Sequence, residues 1–218
     1  MHLALTDILT CPRCGPPFGL ILLAEDVRER RVLEGVLGCA NCRERYPVRG
    51  GFAELRWPRG EATPGQPFAG DAPAGAAPGG APVAERLAAL IGMGGSGGGE
   101  RSFSLVLGPG AGAAAAMAGL VPGAEVVVAD PSSAGWPELS GVSRMAVAAA
   151  LPFADRSVRG VALTAGSDPG LLEDAARVLN PMGRLLVEEA GAEVEARLVA
   201  AGLRVVAREG STLVAVVA

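Results

Sequence analysis

The chain has 218 residues with 19 basic and 23 acidic side chains, a formal net charge of −4. Every basic residue is Arg, the single His is His2, and the four Cys all lie within the first 42 residues. That inventory excludes a Schiff-base Lys, a Ser-His-Asp triad unless His2 supplies the base, and any Cys nucleophile outside the N-terminal cluster.

Half of the residues are apolar, ample for a buried core. The Ala-rich stretch near Ala113 is cut by Pro122 and Glu125, so no run reaches the roughly 18 residues that would suggest a membrane span. The opening MHLALTDILTCPRC has no basic leader and no long apolar stretch. No secretory signal is expected, and the chain is placed in a reducing cytoplasm, where clustered Cys bind metal more often than they form disulfides. Residues 1–60 carry a net charge of +2 and residues 61–218 a net charge of −6, which argues against a DNA partner and leaves only the N-terminal part as a candidate for nucleic-acid contact.

In chain order the first feature is Cys11, Cys14, Cys39 and Cys42, spaced C-x2-C-x24-C-x2-C. Each C-x2-C turn brings two thiolates to one ion, and two such turns complete the tetrahedral four-sulfur site of structural zinc. A closed site of this kind folds a domain and leaves no open position for a substrate. Gly60 to Ala81 is then dense in Gly, Pro and Ala, the composition of a linker, and a second glycine-rich stretch spans Gly92 to Gly99. Between them VAERLAALI places Val83, Leu87, Leu90 and Ile91 at helical spacing, which predicts a short amphipathic helix.

The remainder alternates element types. Ser102–Leu107 and Glu125–Asp130 read as strands flanking a helix over Ala111–Leu120. Strands follow at Val158–Leu163 and Arg184–Glu188, with helices over 169–179 and 192–201. The last two strands, Leu203–Arg208 and Thr212–Val217, are joined by only Glu209, Gly210 and Ser211. That connection is too short for a parallel crossover and predicts an antiparallel hairpin at the edge of an otherwise mostly parallel sheet.

Two resemblances sharpen this outline. LTDILTCPRCGPPFGLI followed by GVLGCANCRERYPVRGGFAELR resembles the zinc ribbons of the Trm-type methyltransferase-activator family, over about residues 1–57. The resemblance implies a ribbon that binds and stabilises class I methyltransferases acting on tRNA, rRNA or translation factors. Bacterial zinc-ribbon rRNA guanine methyltransferases carry a ribbon at the same place in their chain, where it helps grip RNA. From about Phe103 onward the chain is similar to class I S-adenosylmethionine-dependent methyltransferases. LVLGPGAG looks like their glycine loop, with Gly108, Gly110 and Gly112 in the G-x-G-x-G positions, and Asp130 ends the next strand, where a carboxylate can accept from ribose hydroxyls. LPFADRSVRGVAL and LLEDAARVLNPMGRLLVEE match two further family segments.

Several pieces of that pattern are replaced. The acid that the family places two positions before the first glycine is Val106 here, and the acid expected before LPF falls at Val147. Pro109 removes one loop N–H. Losing two charge-assisted contacts of about 1.5–3 kcal/mol each weakens cofactor binding by about two to four orders of magnitude. The motif that grips a target amine in amino-methylating relatives is reduced to Asp168-Pro169, which a helix N-cap followed by Pro explains on its own. Asp155 suits a turn, Glu188 and Glu189 suit a solvated strand end, and Trp57 and Trp136 suit packing. Asp130 is either a ribose ligand or a turn residue.

The expected fold is α/β, with a zinc ribbon over residues 1–59, a linker with one helix near 83–91 over 60–99, and a reduced Rossmann-like methyltransferase fold over 100–218. Cys11, Cys14, Cys39 and Cys42 are the expected metal ligands. Gly108, Gly110, Gly112 and Asp130 are the candidate S-adenosylmethionine contacts, and no catalytic residue is assigned. The expected function is a non-catalytic binding, scaffold or methyltransferase-regulating protein. The competing reading is an active methyltransferase acting on RNA or a translation component. Expected partners are a methyltransferase or a translation-related protein, with RNA contact through the ribbon and no membrane or DNA partner.

Overall fold

The computed structural model describes residues 1–58, 80–94 and 102–218. Much of the linker expected over 60–99 therefore lies outside the described residues. β1 (Thr10–Cys11), β2 (Gly15–Arg28), β3 (Arg31–Cys39), β4 (Arg45–Arg49) and β5 (Phe52–Glu54) form an antiparallel meander. α1 (Gly80–Leu90), β6 (Ser102–Leu107), α2 (Ala114–Leu120), β7 (Ala124–Ala129), β8 (Val142–Ala146) and β9 (Val158–Leu163) follow. α3 (Leu172–Val178), β10 (Leu179–Val187), α4 (Val194–Ala200), β11 (Leu203–Glu209) and β12 (Thr212–Val217) complete the chain. Among the described residues, no helix is long and apolar enough to cross a membrane.

All of these strands belong to one 12-stranded sheet with the order β1-β2-β3-β4-β5-β8-β7-β6-β9-β10-β12-β11. From β8 to β10 neighbouring strands are parallel, and the order reverses between β6 and β9, the switch point of a doubly wound fold. β11 and β12 form the antiparallel hairpin expected from their short connection. The fold class is the expected one, a mixed α/β sheet with a parallel centre.

Side chains along the central strands alternate between two apolar clusters, as the pleat requires. Leu105, Leu107, Val127 and Met145 face one side, where they pack with α3 and with the interior of β1–β5. Val106, Val126, Val128 and Val142 face the other, under α1 and α2. α1 meets the sheet through Ala84, Leu87, Ala88 and Ile91. This differs slightly from the expected face, because Val83 is exposed and the small Ala84 and Ala88 take the inner positions.

Within the parallel centre, β8 is a strand that sequence periodicity misses. Its segment VSRMA contains an Arg in the middle, yet all five residues are buried. β8 pairs in parallel with β5, setting Phe52 opposite Arg144, Ala53 opposite Met145 and Glu54 opposite Ala146. The Leu55 N–H continues the ladder by donating to Ala146 O at 2.9 Å. This pairing makes the N-terminal meander and the parallel strands a single sheet.

Arg144 survives at 1% exposure because its guanidinium is almost fully partnered. It donates to Ser133 O at 3.0 Å and to Trp136 O and Gly50 O, and pairs with Glu138 Oε2 at 3.2 Å. Arg31 approaches the same carboxylate from β3 and also pairs with Glu125 at 3.0 Å, which in turn accepts from Ser143 Oγ at 2.6 Å. Burial pushes Arg144 below the ordinary guanidinium range, while Glu138 works in the opposite direction. Such a network is stabilising only while every member keeps its partner. Arg144→Ala, which strands the Gly50, Ser133 and Trp136 carbonyls, is expected to cost about 3–5 kcal/mol in urea unfolding. Arg204→Ala on the exposed edge strand β11 should stay within about 0.5 kcal/mol of the parent.

Candidate metal centre and strand-end site

The four cysteines arrive at one point from two turns. The first follows β1 and releases the chain into β2 at Gly15, whose φ of +87° belongs to the left-handed region that favours glycine. The second follows β3. It is closed by the Arg43 N–H donating to Cys39 O at 2.9 Å and the Cys39 N–H donating to Glu44 O at 3.0 Å.

The Sγ atoms of Cys11, Cys14, Cys39 and Cys42 all lie within 4.8 Å of one another. Cys11 and Cys42 are 3.6 Å apart, and Cys14 and Cys39 3.9 Å. Disulfide sulfurs sit about 2.05 Å apart, so these are four separate thiols. Ligands at about 2.3 Å around a tetrahedral ion are about 3.8 Å from each other, and the observed spacing fits. The four cysteines are positioned to bind a metal ion.

The surroundings act differently on Cys39 than on Cys11 and Cys42. Burial works against the Cys39 thiolate, but the backbone N–H groups of Cys42 and Asn41 and the neighbouring thiols bring its pKa down to about 7. Burial pushes the Cys11 and Cys42 thiols up. Asn41 Nδ2 donates to Cys14 Sγ at 3.3 Å, and the buried Tyr46 hydroxyl lies 3.5 Å from Cys11 Sγ. Burial, together with its contact to Cys11, raises the Tyr46 pKa and keeps that hydroxyl a donor. Local sequence gives no sign of this role for Tyr46, because its partner is 35 residues away.

The metal turn also touches the connection between β8 and β9 directly. Leu9 bridges Phe153, the Thr10 N–H donates to Pro152 O at 2.9 Å, and the Ala154 N–H donates to Ile8 O at 2.8 Å. Thr10 and Cys11 are adjacent, so the first ligand is one residue from this contact.

At the carboxyl ends of β6 and β7 the sheet brings together Gly108, Gly110, Gly112 and Asp130 on neighbouring strands. The three glycines fall at the end of β6 and in the 3-10 turn Pro109–Ala113. A Cβ at Gly108 would come within 2.7 Å of Ser167 Oγ, and one at Gly110 would overlap the Thr164 side chain. The Gly110 N–H donates to Thr164 Oγ1 at 3.0 Å. Leu107 O accepts from the Thr164 hydroxyl at 2.6 Å, from Ser167 Oγ at 3.1 Å and from the Thr164 N–H at 3.2 Å. The glycines thus admit two hydroxyl side chains from the segment after β9, which no spacing rule in the sequence reveals.

The other candidates carry structural duties. Asp130 Oδ1 accepts from the Ser132 N–H at 2.7 Å and caps the turn Pro131–Gly135. Asp168 caps the turn Pro169–Leu171 in the same way, as its N-cap pattern predicts. Val106 is buried in the cluster under α1 and α2, Val147 is half-buried against the cluster on the other face of the sheet, and neither side chain supplies a carboxylate. Asp155 pairs with Arg177 at 2.8 Å. Glu188 accepts from the Ala165 N–H at 3.2 Å and pairs with Arg86 of α1 at 2.7 Å. Trp57 lies under the Arg13 guanidinium at 4.9 Å, and Trp136 packs on the core beneath α2. A cavity of about 320 Å³ opens one strand further along, beside Ser167, Asp168, Glu188, Glu189 and Arg197; neither the three loop glycines nor Asp130 line it.

No curated protein matches the sequence. Among solved structures, the crystal structure of the antibiotic-resistance methyltransferase Kmr is similar at 14% sequence identity and a TM-score of 0.40, over 52% of this chain and 84% of that one. Residues 2–51, which contain all four cysteines and the strands β1 to β4, match the family of Trm112p-like proteins.

Proposed function

We propose that this chain is a cytoplasmic, zinc-bearing Trm112p-like ribbon built into one sheet with a methyltransferase-like body, and that the body works as a binding scaffold or methyltransferase regulator and not as an enzyme. The observation that carries the reading is the closed glycine loop. Its Gly110 N–H and the Leu107 carbonyl are already engaged by the hydroxyls of Thr164 and Ser167. A cofactor would have to displace those bonds and the volume of Thr164, without the carboxylates that Val106 and Val147 replace. Asp130 would also have to be shared with its own turn. The residues present do not fit S-adenosylmethionine.

Zinc fits the four-sulfur site by ligand type and spacing. In a closed tetrahedral site it would supply folding energy and no reaction chemistry. The Trm112p-like match supports an association with methyltransferases, and in this chain the β5 edge of the ribbon already pairs with the chain's own β8. The body is therefore the first methyltransferase-like partner that the ribbon serves, through main-chain pairing that any strand of matching register could provide. Further methyltransferase or translation partners would meet the remaining surface, and RNA contact would fall to the ribbon.

Titration calorimetry with S-adenosylmethionine is expected to give a dissociation constant of about 1 mM or weaker. Binding at tens of micromolar would restore the reading of an active RNA or translation-factor methyltransferase. Elemental analysis of the purified protein should find one zinc per chain, and Cys39→Ser should lose it together with several kcal/mol of stability. A metal-free chain that unfolds at the same denaturant concentration would defeat the zinc assignment.

A further inference from the structure

We infer that metal occupancy in the ribbon and the order of segment 151–155 in the body are thermodynamically linked, with Arg177 as the positioning residue on the body side. The inference rests on the metal reading above and extends it to a part of the chain that holds no ligand.

The linkage begins at the first metal turn. Cys11 follows Leu9 and Thr10, the residues that pair with Phe153 and Pro152. Leu9, Cys11, Cys39, Tyr46 and Phe153 all belong to the same buried cluster, so the sulfur site and the segment share packing as well as main-chain hydrogen bonds. On its other side the segment is held by α3. Arg177 donates to Leu151 O at 2.8 Å and Phe153 O at 2.7 Å, and pairs with Asp155 and Asp174, each at 2.8 Å. Asp174 Oδ2 accepts from the Leu151 N–H at 2.6 Å. Segment 151–155 is therefore a strap fastened at one side to the metal turn and at the other to one guanidinium.

Ordering that strap favours the arrangement in which Cys11 faces the other three thiols. Gathering the thiols on an ion in turn favours the ordered strap. By reciprocity, the factor by which metal tightens the strap is the factor by which the strap tightens metal. Other positive groups at the strap do not duplicate Arg177: among the described residues, the hydrogen bonds to Leu151 O and Phe153 O come from its guanidinium and from the Phe153 N–H at 2.8 Å.

Two measurements on the full chain test this. In the parent protein, removing zinc with a chelator is expected to raise amide hydrogen exchange in peptides covering 151–155, including the Ala154 N–H, by about tenfold or more. Unchanged exchange there overturns the inference. In Arg177→Met, competition against a chromophoric chelator is expected to give a zinc dissociation constant about tenfold weaker than the parent's. If that variant does not fold, Asp174→Asn removes the carboxylate shared by Leu151 and Arg177 and should shift zinc affinity in the same direction. A chain that never binds metal defeats the zinc reading and this inference together. A chain that binds zinc with parent affinity in these variants defeats this inference alone.

Discussion

Three residues of β5 lying beside three residues of β8 decide the architecture. A doubly wound half-sheet that ends at β8 would present an open edge of unpaired N–H and C=O groups, a liability for association with other chains. The ribbon closes that edge with its own last strand, and the closure brings Arg144 into the interior. Its charge is tolerated because Gly50, on the ribbon turn before β5, and Ser133, Trp136 and Glu138, on the connection before β8, converge on it. Strand pairing and charge pairing therefore depend on each other across the boundary that composition alone would draw between two independent domains.

The same economy of partners governs the strand ends. Glycines in a G-x-G-x-G loop are commonly read as room for a ligand, yet room is a property of the whole neighbourhood. Here Thr164 and Ser167 enter that room, and the close approach of their side chains is itself what requires glycine at 108 and 110. A satisfied loop is stable without a ligand, and an outside molecule must break its internal hydrogen bonds before it gains its own. Val106 and Val147 offer no carboxylate beside that loop. Asp130 and Asp168 serve as turn caps.

At the metal centre the logic runs the other way. Two tight turns, a tyrosine hydroxyl and an asparagine amide surround the four thiols, whose spacing suits the ligands of one tetrahedral ion. Because the first of those turns is hydrogen-bonded to segment 151–155, the free energy of ligation reaches beyond the ribbon. The charge difference between the ribbon and the rest of the chain, noted in the sequence, has no such structural seam to match it: the sheet runs through the boundary without interruption.

The sequence by itself determined whatever depends on spacing along the chain. The two C-x2-C turns, the β11–β12 hairpin, the helix that became α1 and the cap at Asp168 are all set by neighbours within a few residues, so local rules suffice, whereas the sequence leaves Asp130 between a ribose ligand and a turn residue. It also displayed Val106 and Val147 where the resemblance leads one to expect acids, because a residue type is visible in one letter. Tertiary structure alone decided that β8 is a strand, since a buried Arg in its centre hides the apolar pattern until Gly50 and Glu138 supply partners. It alone closed the glycine loop with Thr164, which acts across 54 residues, and it alone tied Cys11 to Phe153. Those features rest on groups that meet only when the sheet is assembled, and no periodicity in a single segment records a partner that lies on another.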